Sequence, residues 1–164
     1  MKKNLLLILL IILFGSITRL IPHPPNFTPI LSMFLFSGVY FGNKKLSVFV
    51  PILSMLLSDL IIGFGTISLW VYLPLLLITL IGHKFKNINI GSVLTASFTF
   101  FVISNFGVWL MGYPKTIEGL ISCYVLAIPF FTNTLISTFA YSFVMKYLYQ
   151  GIITSKLIKI NVNS

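Results

Sequence analysis

Few side chains in this chain of 164 residues have reactive chemistry to offer. There are two carboxylates, Asp59 and Glu118, two histidines, His23 and His83, a single arginine, Arg19, and a single cysteine, Cys123. Their spacing builds no reactive centre. The sequence has no Ser/His/acid set, HExxH helix, phosphate-cradling glycine loop or Cys/His cluster. His23 has no histidine or acid at metal-ligand spacing, so no metal and no cofactor are expected, and the chain does not read as an enzyme. A lone cysteine also excludes an internal disulfide and a cysteine-based metal site. The chemistry that remains is recognition. Asp59 stands inside an apolar stretch, and a carboxylate at the centre of a membrane helix costs about 2.5–3.5 kcal/mol, less towards the ends. Something must offset that cost: an ion pair with Arg19, or a ligand or cation. Arg19 either presents its planar fork to a carboxylate or phosphate or snorkels to an interface.

These residues are positioned by the stretch 19–29, Arg-Leu-Ile-Pro-His-Pro-Pro-Asn-Phe-Thr-Pro. Its four prolines, Pro22, Pro24, Pro25 and Pro29, remove backbone donors and forbid a regular helix. The apolar run that follows is short. With Thr28 as its cap and Pro29 as its first residue, a helix over 29–41 is roughly 20 Å long, against a bilayer core of about 30 Å. Part of the proline-rich segment is therefore expected to dip into the membrane. Irregular backbone survives there only when buried in protein or lining a wet cavity.

The composition is that of a membrane protein. Hydrophobic residues make up 57% and charged residues 8%, with a mean hydropathy of +1.04, whereas soluble domains are about 25% charged. Six membrane helices are expected, over 4–20, 29–41, 46–64, 67–82, 90–111 and 127–149. The segment 116–126 is too short to span and is expected to lie in the interface or fold back. Pro129 falls in the first turn of the sixth helix. The fold class is thus all-α: one polytopic bundle over 1–150 and a polar cytoplasmic tail over 151–164. The first helix is expected to be retained, since Ser16 and Thr18 make a poor signal-peptide cleavage site.

The net charge of +9 is spread singly or in pairs beside apolar runs, which speaks for membrane topology and against nucleic-acid binding. With both termini cytoplasmic, Lys2, Lys3, Lys44, Lys45, Lys84, Lys86, Lys146, Lys156 and Lys159 fall inside. Arg19 and Lys115 fall outside, Lys115 three residues from Glu118 and placed to pair with it. This arrangement obeys the positive-inside rule for the cytoplasmic membrane. The rare polar residues then gather in the outer half: Arg19, His23, Asn26, Asp59, Tyr72, Asn105, Trp109 and Asn133. Polar groups at one depth point to a pocket, whereas a pore needs them at every depth. Each also has a plainer reading. The asparagines serve as hydrogen bonds between helices, and Trp70, Trp109, Tyr72 and Tyr113 serve as an interfacial belt.

Several stretches together resemble a family of small bacterial membrane proteins of unknown function. They are residues 19–29, Leu35-Phe36-Ser37-Gly38, Ser58-Asp59 through Gly63, Val71-Tyr72, Ser104-Asn105-Phe106-Gly107-Val108-Trp109, and Cys123-Tyr124 through Ile128-Pro129-Phe130-Phe131-Thr132-Asn133-Thr134. That family is similar in size and character to the substrate-binding S components of energy-coupling factor (ECF) vitamin transporters. The resemblance implies six helices, a pocket in the outer half, a small vitamin-like ligand, and a partner module of a transmembrane coupling subunit with two ATPases. Helix 1 departs from the pattern. Many S components carry an Ala-x-x-x-Ala motif there, and this helix offers only Gly15 and Ser16 as small residues. The expected function is a substrate-binding membrane subunit for small-molecule uptake, and the alternative is a membrane scaffold that binds other proteins.

Overall fold

The computed structural model describes residues 2–154. Among them are six helices and no strands: α1 (Lys2–Leu20), α2 (Ile30–Tyr40), α3 (Lys44–Ile62), α4 (Ser68–Phe85), α5 (Ile90–Gly112) and α6 (Ile117–Thr154). Four of these, α3 to α6, are long and apolar enough to cross a membrane. α2 has 11 residues, or about 16 Å at 1.5 Å per residue, and so falls well short of a span.

Local chemistry sets the helix ends. The Asn43 side chain accepts hydrogen bonds from Lys45 N and Leu46 N at the start of α3, and Asn89 and Ser92 form a reciprocal capping box at the start of α5. Thr116 Oγ1 accepts from Gly119 N, and Glu118 sits in the first turn of α6, where the helix dipole favours an anion. Lys86 closes α4 in the left-handed region at φ 55°.

The bundle is built around α2. All of its residues from Ile30 to Gly38 are buried, because α3, α4, α5 and α6 all pack against it, while α1 rests on α3. The closest approach is between α2 and α4. A Cβ on Gly82 would lie 2.6 Å from Leu35 O and 2.9 Å from Gly38 Cα, so only glycine lets the two backbones meet. Gly15 and Ser16 are buried, too. A Cβ on Gly15 would strike Met33 and Ser54, and Ser16 Oγ donates to Ser54 O at 2.8 Å. Many buried hydroxyls turn back on their own helix, as Ser37 does to Phe34 O and Thr138 to Thr134 O. They therefore pack as small residues. One end of the bundle gathers Arg19, Asp59, Tyr72 and Trp109. The other gathers Lys44, Lys45, Lys84, Lys86 and Lys146, with Ser47 Oγ 3.2 Å from His83 Nε2 and Lys146 Nζ donating to Ile88 O. Lys156 and Lys159 lie outside the described residues.

Three local expectations change. The segment 116–126 is not a separate interfacial element; it is the first part of a single helix of 38 residues in which Pro129 is internal. Pro129 forfeits one hydrogen bond, but no glycine or polar break between Gly119 and Gln150 stops the helix from propagating through it. That helix, about 57 Å long, also runs through 151–154, which the sequence assigns to the tail; 155–164 lie outside the described residues. At the start of α2, Pro29 rather than Thr28 occupies the cap position, with no side-chain cap bond, and Pro29 O accepts from Met33 N. Finally, Lys115 does not pair with Glu118. Its Nζ donates to Trp109 O and Tyr113 O, carbonyls at the end of α5.

Candidate functional site

At the Arg19 end, α1, α3 and α4 are tied together through one carboxylate. Arg19 Nη1 lies 2.6 Å from Asp59 Oδ1, and Tyr72 OH donates to Asp59 Oδ2 at 2.6 Å. Arg19 Nη1 also donates to Ser58 Oγ and to Met55 O. The Asp59 side chain is 6% exposed and that of Arg19 17%. Both oxygens of the acid thus have charged or hydroxyl donors, the pairing a buried carboxylate requires.

The proline-rich segment reaches far along α6. Asn133 Nδ2 donates to Pro25 O at 3.1 Å and Ser137 Oγ to Asn26 O at 3.3 Å. Asn133 is the seventeenth residue of α6, about 24 Å from its start at 1.5 Å per residue. The irregular backbone therefore descends well past the helix ends, and side chains of α6 satisfy its carbonyls. The tip is a turn in which Phe27 N donates to Pro24 O at 2.9 Å and Asn26 takes φ 62°. Pro25 fixes the first central φ, and asparagine tolerates the left-handed region at the second. Phe27 pins the turn by an edge contact with Tyr141, ring centroids 6.1 Å apart. Asn26→Gly is expected to leave thermal stability within about 0.5 kcal/mol, whereas Asn26→Ala costs about 1 kcal/mol, because alanine keeps a Cβ in the left-handed conformation without the amide that lets asparagine tolerate it. Equal losses in thermal unfolding of the two variants would show that the side chain, not the backbone, matters.

Above the start of α2 the walls continue without a central helix, and a cavity of about 330 Å³ remains. α5 contributes Phe100, Phe101, Ser104, Asn105 and Val108, and α6 contributes Cys123, Leu126, Ala127, Phe130, Phe131 and Thr134. Ile67 and Val71 come from the start of α4, Tyr113 from the α5–α6 turn, and Pro25 and Asn26 from the proline-rich turn. The void follows from the prolines. They end the regular helix at Tyr40's side of Pro29, so α2 is too short to fill the bundle centre. Ser104 Oγ and Thr134 Oγ1 donate to carbonyls of their own helices. Asn105 Nδ2 donates to Phe101 O at 2.7 Å, and its Oδ1 accepts no bond from the described residues. No Lys, Arg, Asp, Glu or His lines the space.

Among the residues singled out from sequence, Asn26 and Asn105 line this cavity. Arg19, Asp59 and Tyr72 form the separate cluster described above. Asn133 holds the proline-rich turn. His23 is exposed, its Nδ1 2.9 Å from Pro24 O. Trp109 sits at the α5–α6 turn, where Nε1 donates to Pro114 O and Lys115 Nζ lies 5.5 Å from the ring centroid. The aromatic wall of Phe100, Phe101, Phe130 and Phe131 was not singled out, since polarity was the guide. Rows four residues apart were the available signal: Phe100 with Ser104 and Val108, Phe101 with Asn105, and Cys123 with Ala127 and Phe131. The described residues contain no group of three or more His, Cys, Asp or Glu able to hold a metal.

The architecture, an all-helical chain with four helices of membrane-crossing length around a short buried one, defines a class and not an individual. A family model matches residues 1–158, and the chain belongs to that family, described as a family of unknown function (DUF6580). Neither curated proteins nor solved structures gave a match.

Proposed function

We propose that this chain is a multi-pass subunit of the cytoplasmic membrane that binds a small molecule for uptake, holding it in the cavity between α4, α5, α6 and the proline-rich turn. The observation that carries the reading is the cavity itself. Its volume of about 330 Å³ lies at the lower end of the range for ligand sites, about 300–1,000 Å³. It has the usual make-up of such sites, mostly aromatic and apolar walls with a few polar groups, here the Asn105 and Asn26 amides. Four helices of spanning length and the lysines gathered at one end support the membrane placement.

On the resemblance read from the sequence alone, uptake would be driven, as in ECF transporters, by a coupling subunit with ATPases. A close helix–helix dock of that kind needs small residues, and Gly15 and Ser16 on α1 are already buried against α2 and α3. Such a partner would therefore dock on another face.

Native mass spectrometry of the protein purified gently from its own membranes tests the reading. A bound small molecule of one defined mass is expected, with occupancy reduced at least fivefold in Asn105→Leu at unchanged helical content. A stable protein partner with no small molecule would overturn this reading in favour of a scaffold.

A further inference from the structure

Resting on the binding reading above, we propose that the ligand is neutral: a compact, flat, largely apolar molecule with a single amide-like or carbonyl-like polar edge, met by the amide of Asn105. Three observations converge. First, the charged residues of this half of the molecule lie outside the cavity, Glu118 exposed in the first turn of α6 and the others already bonded. Arg19 and Asp59 pair with each other at 2.6 Å, and Lys115 is bonded to Trp109 O and Tyr113 O. A charged ligand would enter the cavity with no counter-charge, and an unpaired charge in a low-dielectric site is strongly disfavoured.

Second, the walls are aromatic. Phe101 and Phe131 lie with ring centroids 4.6 Å apart and a tilt of 39°, and Phe100 and Phe130 extend the same surface. Aromatic walls of this kind favour a flat apolar partner over a hydrated one. Leu126 and Phe130, at 61% and 46% exposure, line the cavity and also face outward, which gives it an apolar lip.

Third, the polar capacity is small: besides the Asn26 amide and Tyr113 at the two turns, it rests on Ser104, Thr134, Cys123 and Asn105. The Ser104 and Thr134 hydroxyl protons are taken by their own helices, and Cys123 Sγ sits 3.5 Å from Asn105 O. The Asn105 side chain retains an accepting Oδ1 and one N–H beyond the bond to Phe101 O. One donor and one acceptor side by side match an amide edge.

The test is calorimetric titration of the full chain in lipid nanodiscs, corrected against empty discs, with 1-naphthamide, 1-naphthoate, 1-naphthylmethylammonium and naphthalene. Naphthamide is expected to bind saturably and at least tenfold more tightly than either charged compound. Asn105→Leu is expected to weaken naphthamide at least tenfold while leaving naphthalene within twofold, which shows the cavity intact. Binding of the carboxylate or the ammonium as tight as that of the amide would overturn the neutral class and leave the binding reading standing. Loss of naphthalene together with naphthamide in Asn105→Leu would overturn the role given to the amide edge. Absence of saturable binding by all four compounds would overturn both the neutral class and the cavity as a ligand site.

Discussion

Asp59→Ala is expected to destabilise the fold by about 3 kcal/mol, the lower end of the 3–5 kcal/mol typical for breaking a buried ion pair. The loss arises less from the missing attraction than from what is left behind. The Arg19 guanidinium would keep only Ser58 Oγ and Met55 O, both neutral acceptors, and Tyr72 OH would lose its acceptor as well. The 17% exposure of the Arg19 side chain lets water offset part of the cost, which places the effect at the low end. The double variant Arg19→Met, Asp59→Leu is expected to recover most of the loss, because neither charge then remains to be buried. Thermal unfolding of the solubilised protein measures both. A single variant as stable as the parent but unable to bind ligand would show that the pair serves recognition and not the joining of α1 to α3 and α4.

Gly82→Val carries the second large effect. Its Cβ would stand 2.6 Å from Leu35 O and 3.0 Å from Gly38 C, backbone atoms with no rotamer to adopt. α2 and α4 would have to separate, at a cost of about 3 kcal/mol, the upper part of the range for overpacking. Gly112→Val is the matched control: a Cβ there meets nothing within 4 Å, so only helix propensity changes, by well under 1 kcal/mol and not to the helix's disadvantage. Equal loss from both variants would mean that the α2–α4 contact does not limit stability.

The difference between these two predictions shows what could be read from the chain. The pairing of Arg19 with Asp59 was open to inference as one of two readings, because intramembrane charges are rare and usually paired. The descent of the proline-rich segment followed from arithmetic on the short helix after it. The contact at Gly82 had no such signal. A glycine in an apolar helix is common, and only the neighbouring backbone shows that this one is required. The continuity of α6 was hidden for a related reason. A proline followed by an apolar run reads equally as a helix start or as an internal kink.

Turn residues, charges and prolines act locally, so the helical segments, the gathering of lysines at one end and the scarcity of reactive groups follow from the chain alone. Only the tertiary structure decided which side chains face the cavity. α5 and α6 are apolar on nearly every face, so no polar stripe selects their rotation about their own axes. Within a bilayer no hydrophobic force would select it either. Their rotation is set by close packing on α2, on α4 and on each other, through small residues such as Gly107 under Trp70 of α4 and bonds such as Tyr124 OH to Val102 O at 2.7 Å. That rotation turns Asn105 and the four phenylalanines towards the space α2 leaves empty, and directs Asn133 and Trp109 to hold the loops around it.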